Sequence, residues 1–201
     1  MPKTSSIDLK IVVLGPAGVG KTCIIHRFCN GAFLLNTLST IGAAFFPHTM
    51  QIDQTDINMM LWDTAGEERF RSVAPSLLRG ANGLVLVYDC TSLDSFKELD
   101  IYLNMFLDTA DYDPSVALPV LLLGNKSDLD LAKLPEELIQ SWAEKKNIVH
   151  SFLVSAKTGE NIEESFTEFM KDFLQTPVTH DSTPIQINFQ QENAEKSSSC
   201  C

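Results

Sequence analysis

The sequence predicts an α/β fold in which a mostly parallel six-stranded sheet is flanked by helices and carries one antiparallel edge strand. Three observations carry that expectation. Residues 83–88 and 120–123 are nearly continuous apolar runs, the pattern of strands buried on both faces of a parallel sheet. Segments with helical spacing of apolar residues alternate with these runs, as right-handed crossover connections require. Residues 43–52 and 57–62 flank the polar turn Asp53-Gln54-Thr55-Asp56 and read as a hairpin, which supplies the antiparallel edge.

The first strand is the apolar run 9–14. Gly15-Pro16-Ala17-Gly18-Val19-Gly20-Lys21-Thr22 follows it directly, and residues 23–28 then take up helical patterning. The stretch 31–41 has no clear period and reads as a surface loop carrying Phe33 and Thr40. Beyond the hairpin and the strand at 83–88, Phe96, Leu99, Leu103 and Phe106 form one helical stripe. Leu138, Ile139 and Trp142 form a second after the strand at 120–123, and a short strand at 152–154 comes next. Ile162, Phe166, Phe169, Met170 and Phe173 mark one face of a last helix. All these stripes are expected to be core. From Gln175 onward Pro, Ser, Thr, Gln and Asn dominate, so residues 175–201 are expected to form a flexible tail behind a domain at 9–174, with residues 1–8 as an extension before it.

With 201 residues, 44% of them hydrophobic, the chain has material for one well-filled core. A formal net charge of −11 argues against nucleic-acid binding and against electrostatic adsorption to anionic lipid. Cys23, Cys29, Cys90, Cys200 and Cys201 have no zinc-site spacing and an odd count, which suits reduced cytosolic thiols. Residues 1–8 are polar, and no apolar run is long enough to span a bilayer, so the chain is expected to be soluble unless something is attached to it.

The segment from Gly15 to Thr22 fits G-x-x-x-x-G-K-[ST] in the strand, loop and helix context that the motif requires. Glycines let backbone N–H groups turn toward phosphate oxygens, and the helix that follows adds the positive end of its dipole. Lys21 supplies a mobile charge for outer phosphates, and the Thr22 hydroxyl suits Mg²⁺. A glycine-rich turn without a ligand is the bland alternative. Asp63-Thr64-Ala65-Gly66 ends the next strand, placing the Asp63 carboxylate where it can hold Mg²⁺ through a water and the Gly66 N–H where it can reach a terminal phosphate.

Asn125-Lys126-Ser127-Asp128 follows the strand at 120–123. A carboxylate such as Asp128 accepts from guanine N1–H and the 2-amino group, whereas adenine offers a lone pair at N1 and no amino group. Asn125 is expected to tie the base loops together, and the Lys126 stem to cover the ring. Amides of Ser155-Ala156-Lys157 are expected to meet guanine O6.

The run from Trp62 to Phe70, the Asn125 to Asp128 segment and the terminal Cys200-Cys201 together resemble the Rab family of small GTPases. Thr40-Ile41-Gly42, Arg69-Phe70-Arg71-Ser72, Arg79-Gly80-Ala81 and Leu86-Val87-Tyr88-Asp89 resemble further family segments. The resemblance implies a P-loop G domain, a GTPase that switches between GDP and GTP on vesicle membranes, with Mg²⁺ held by Thr22, Thr40 and Asp63. It implies nucleotide contacts from Ala17, Gly18, Val19, Gly20, Lys21, Thr22, Cys23, Phe33, Thr40, Gly66, Asn125, Lys126, Asp128, Leu129, Ser155, Ala156 and Lys157. Lys21, Thr40 and Glu67 would serve hydrolysis, and the loops 31–41 and 66–79 would be the two switches, released on loss of the γ-phosphate. It further implies a monomer that meets effectors, an exchange factor, a GTPase-activating protein, a prenylation escort and a GDP-dissociation inhibitor. Thr40 to Phe45 resembles early-endosomal members. Residues 106–119 and Pro184-Ile185-Gln186-Ile187 resemble late-endosomal and lysosomal ones, so the implied location is the cytoplasmic face of endosomal, lysosomal or other vesicle membranes, with a cytosolic GDP-bound fraction.

Departures from the family pattern fall at Glu67, at Pro16 and Ala17 in the phosphate loop, and at Leu77. Glu67 replaces the usual glutamine that orients the attacking water, and its charge beside the γ-phosphate favours slow hydrolysis. Pro16 lacks an N–H but precedes the phosphate-holding amides, and Ala17 adds a methyl group near the reaction zone. Phe45 and Trp62 fit two of three effector-reading aromatics, while the third position is Leu77. Cys200-Cys201 is no C-a-a-X box but resembles a double geranylgeranylation site, and the tail offers no basic patch, so both chains would be needed to anchor it. Ile185, Ile187 and Phe189 would give an escort protein an apolar stripe. Two rivals stay open at this point: a hydrolysis-deficient guanine-nucleotide scaffold, and an ATP-using P-loop kinase, which Asn125-Lys126-Ser127-Asp128 disfavours.

Overall fold

A computed structural model describes residues 5–35, 40, 42–64, 77–109 and 119–175. Its strands are β1 (Ser5–Leu14), β2 (Ala43–Ile52), β3 (Thr55–Thr64), β4 (Gly83–Asp89), β5 (Val120–Asn125) and β6 (His150–Leu153). The helices are α1 (Lys21–Asn30), α2 (Leu93–Lys97), α3 (Leu99–Thr109), α4 (Glu136–Lys145) and α5 (Ile162–Gln175). Strand order is β2-β3-β1-β4-β5-β6, with β2 antiparallel to β3 and every other neighbouring pair parallel.

The side-chain period of two explains why the apolar runs are continuous. Leu9, Ile11 and Val13 of β1, Val85 and Val87 of β4, and Leu121 and Leu123 of β5 share one face with α1 and α5. Val12, Leu14, Leu84, Leu86, Tyr88 and Leu122 face the other way, onto Phe96, Leu99, Leu103, Phe106 and Ile139. Both faces are covered, so neither set of positions tolerates polarity. In α5, Phe166, Phe169 and Met170 are fully buried, each side chain contributing roughly 1.5–3 kcal/mol. The hairpin register pairs Phe45 with Trp62 and Ile52 with Thr55, and Asp53 and Gln54 take positive φ in its turn. Pro47 lies on edge strand β2, the place in a sheet that tolerates a missing donor.

Several boundaries differ from expectation. β1 begins at Ser5, inside the stretch expected to precede the domain, because Ser5 Oγ and Thr55 Oγ1 lie 2.8 Å apart and extend the β1–β3 pairing. The stripe from Phe96 to Phe106 is divided between α2 and α3. Around Glu98 a tight turn interrupts the ladder, with Ile101 N–H donating to Glu98 O at 3.0 Å. Leu138 is 41% exposed and lies outside the core stripe, where Ile139 and Ala143 stand instead. β6 runs His150–Leu153, two residues ahead of its expected start.

From β1 the sheet grows both ways, to β3 on one side and β4 on the other. The carboxyl end of β1 is thus a topological switch point, where α/β sheets open a crevice for ligands.

Candidate functional site

At that crevice the chain leaves β1 through Gly15, where φ is +149° and an added Cβ would stand 2.1 Å from the Val87 carbonyl oxygen. Only glycine fits. Gly20 caps α1 at φ +96°, and a Cβ there would come within 2.4 Å of Asn125 Nδ2. α1 starts without a side-chain cap or an acidic residue in its first turn. Its first amides and its dipole therefore face outward as a seat for an anion. Lys21 arches back over the loop, its Nζ donating to the Gly15 and Pro16 carbonyls at 2.8 Å each. Pro16 offers a carbonyl where it cannot offer an amide. Burial pushes Lys21 down to about 8, and only the nearby Asp63 charge opposes that. Ala17 and Gly18 are exposed, while Val19 is buried in the core.

Asp63 is fully buried near the end of β3. Its Oδ2 accepts from Thr22 Oγ1 at 2.6 Å and from Thr40 Oγ1 at 3.1 Å, and the two hydroxyls lie 2.9 Å apart. Its Oδ1 is buried without a hydrogen-bond partner among the described residues. Burial raises the Asp63 carboxyl, against the threonine hydrogen bonds and the Lys21 charge. A buried carboxylate oxygen left alone is costly unless a cation meets it. One carboxylate with two hydroxyls suits a hard ion that completes its shell with water and phosphate oxygens, as Mg²⁺ does. Among the described residues no group of three His, Cys, Asp or Glu forms an all-protein metal cage. Thr64, beside Asp63, is structural: its hydroxyl donates to Val13 O at 2.7 Å and locks β3 to β1.

The loops expected at the base lie at the ends of β5 and β6. Asn125 Nδ2 donates to Val19 O at 2.8 Å, and Asn125 Oδ1 accepts from Ala156 N–H at 3.0 Å. One side chain thus joins the phosphate loop to the Ser155–Lys157 loop. Asp128 Oδ1 accepts from Ser155 Oγ at 2.7 Å, and Lys157 Nζ stands 3.6 Å from Oδ2. The Ser155 hydrogen bond, then Lys157, holds the Asp128 carboxyl below its ordinary range and keeps it ionised as an acceptor.

Lys126 sits at φ +72°, and its Nζ pairs with Asp89 Oδ2 at 2.7 Å. The other Asp89 oxygen accepts from Thr91 N–H and Oγ1 at 2.9 and 2.7 Å. Asp89 stands in a family-like segment, Leu86 to Asp89, but nothing in the sequence pairs it with Lys126. The fold makes the pairing possible, since Asp89 ends β4 directly beside Asn125 in register.

The expectation for the Ser155–Lys157 amides needs narrowing. Ser155 N–H donates to Glu160 O at 3.1 Å and Ala156 N–H to Asn125 Oδ1, so two of the three are engaged inside the protein. Phe33 is half-buried against the core, and Cys23 is half-buried on α1. Leu129 is 36% exposed, with its amide donating to Lys126 O at 3.1 Å. On the face of β2 and β3, Phe45 is 48% exposed, with its ring centroid 5.6 Å from that of Trp62. Leu77 is half-buried. Gly66, Glu67, Cys200, Cys201 and the tail from 176 lie outside the described residues.

The glycine-shaped cradle, the buried lysine and the hydroxyl-carboxylate cluster at one switch point define a P-loop nucleotide-binding domain. A family model described as the Ras family matches residues 10–175. The chain is 43% identical over 162 residues to the Ras-related protein RABG3b of Arabidopsis thaliana, covering 79% of each. It is 38% identical over 167 residues to Rab7 of Drosophila melanogaster, covering 83% of this chain and 81% of that one. Against the human Ras-related protein Rab-7b it is 36% identical over 167 residues, covering 83% and 82%. The chain belongs to the Ras family, as a Rab-type small GTPase of the endosomal and lysosomal Rab7 type. It is a GTPase switch of membrane traffic that hydrolyses GTP, and neither the scaffold without hydrolysis nor the ATP-using kinase is favoured.

Proposed function

We propose that the GTPase cycle of this chain depends on Mg²⁺ held by Thr22, Thr40 and Asp63 and on guanine read by Asp128. The observation that carries the reading is the buried Asp63 Oδ1, which has no partner among the described residues, beside an Oδ2 that two hydroxyls already occupy. When bound, Mg²⁺ supplies positive charge against the outer phosphates. Lys21 adds a second cation from within the loop, while the α1 amides and the Gly66 N–H hold phosphate oxygens. Thr40 reports the third phosphate, because the loop 31–41 gains a fixed partner at that hydroxyl in the GTP state. At the other end, Asn125 holds the base loops together and Lys126, steadied by Asp89, lies along the ring.

If this assignment holds, EDTA speeds release of a fluorescent GDP analogue from the wild type by at least about tenfold. Asp63→Asn releases it rapidly even in Mg²⁺ and gains little from EDTA. Wild-type release indifferent to EDTA would remove Mg²⁺ from the site.

The finer reading of its cell biology is a switch on the cytoplasmic face of endosomal or lysosomal membranes. Two geranylgeranyl chains on Cys200 and Cys201 would anchor it, since one chain holds only marginally. An escort protein for prenylation, a GDP-dissociation inhibitor, an exchange factor and a GTPase-activating protein complete the cycle, and effectors dock on the GTP form at Phe45, Trp62 and Leu77. Support comes from the Rab7-type relatives and from the exposed Phe45 beside Trp62. Mass spectrometry of the protein from cells is expected to find both terminal cysteines carrying C20 lipid, and unmodified thiols would refute the anchor.

A further inference from the structure

Arg27, in the last turn of α1, belongs to none of the motifs above, yet its guanidinium reaches three main-chain carbonyls. Nε donates to Ala156 O at 2.9 Å, Nη2 to Lys157 O at 2.6 Å and Nη1 to Gly31 O at 2.6 Å. Gly31 closes α1 at φ +67°, and its own N–H donates back to Arg27 O at 2.9 Å. The side-chain stem passes Gly159, where even a Cβ would stand 3.7 Å from Arg27 Cδ. All three bonds are charge-assisted, and only a planar fork serves three carbonyls at once.

Peptide geometry turns these bonds into aim. A carbonyl and the N–H of the next residue share one rigid plane and point opposite ways. Fixing Ala156 O therefore fixes the Lys157 N–H, directed away from Arg27, and that amide has no partner among the described residues. Fixing Lys157 O likewise fixes the Thr158 N–H, which donates to Ser155 Oγ at 3.1 Å. Ser155 Oγ in turn donates to Asp128 Oδ1 at 2.7 Å. One arginine thus stands behind both the amide that faces outward and the carboxylate.

We propose that Arg27 is a positioning residue for the guanine base, and that through Gly31 it ties the base loops to the start of the segment bearing Phe33 and Thr40. The inference rests on the reading of Asp128 and the Ser155–Lys157 loop as the base site. Displacing residues 31–35 draws on the same side chain that holds the base loops, which gives an exchange factor a lever on nucleotide release.

The test compares wild type, Arg27→Gln, Arg27→Lys and Asp128→Asn for release of a fluorescent GDP analogue in Mg²⁺ and for equilibrium affinity toward GDP and ADP. Arg27→Gln is expected to speed GDP release at least about tenfold. Its preference for GDP over ADP should fall by a similar factor, because adenine draws nothing from these loops. Arg27→Lys should move the same way, since one ammonium cannot serve three carbonyls, and it decides the matter should the glutamine variant not fold. A loss shared equally by GDP and ADP would make Arg27 merely structural and overturn the proposal. Wild-type release in both Arg27 variants beside fast release in Asp128→Asn overturns the clamp alone. Unchanged release in all three variants overturns the base-site reading and the clamp with it.

Discussion

Asp128→Asn is expected to cost this protein its affinity for guanine nucleotides and to give it one for xanthine nucleotides. In the native site the carboxylate is ionised, with Ser155 Oγ on Oδ1 and Lys157 near Oδ2. In the base-reading role proposed for it, it would accept two hydrogen bonds from guanine, at N1–H and at the 2-amino group. An asparagine amide presents one acceptor and one donor, so its NH₂ would face the guanine amino group with no acceptor between them. Xanthine carries a carbonyl at that position and restores the match. A site built around a substrate polar group rejects the mismatched base by roughly 10³-fold or more, because its buried groups are left unpaired. Competition binding of GDP and xanthosine diphosphate to the two proteins checks both halves. Unchanged GDP affinity in Asp128→Asn would mean that this carboxylate does not read the base.

What the sequence makes legible here follows from how locally each feature is encoded. The runs in β4 and β5 announce burial on both faces, and the stripe from Ile162 to Phe173 announces one helix face, because each is written in consecutive side chains. The cradle and Asp63 are legible for the same reason: spacing along one loop and one strand end carries them. Boundaries that depend on a partner are not. Ser5 is polar and joins β1 only because Thr55 lies opposite it. Glu98 interrupts what its apolar neighbours write as one continuous helix. Leu138 and Ile139 are adjacent and equally apolar, so only packing decides that Ile139 turns inward. In the site, the roles of Asp89 and Arg27 escape notice because their partners are distant in sequence, 37 residues on for Lys126 and 129 for Ala156. Arg27 also reads naturally as a cation complementing the end of a helix, a role that needs no ligand. Even a match to the nucleotide motifs would not find it, since its bonds go to carbonyls, and every residue has one.

Glu67→Gln is expected to raise single-turnover GTP hydrolysis by at least about tenfold, as the size of single-donor effects in transition-state stabilisation implies. Glu67 lies outside the described residues, and the expectation rests on chemistry at a position the family fills with glutamine. A glutamine amide accepts a hydrogen bond from the attacking water and donates one to the phosphoryl oxygens, so it can position both partners. An ionised glutamate still accepts from the water but donates nothing. It also adds a negative charge close to a γ-phosphate that already carries one, and two anions at such range oppose each other strongly where water is scarce. Either deficit would lengthen the life of the GTP state. A GTPase-activating protein could supply both missing groups from outside, in which case the intrinsic rates of wild type and Glu67→Gln still differ but their stimulated rates converge. Equal intrinsic rates would sink the idea that residue 67 sets the clock, and the duration of the active state would then rest with that partner.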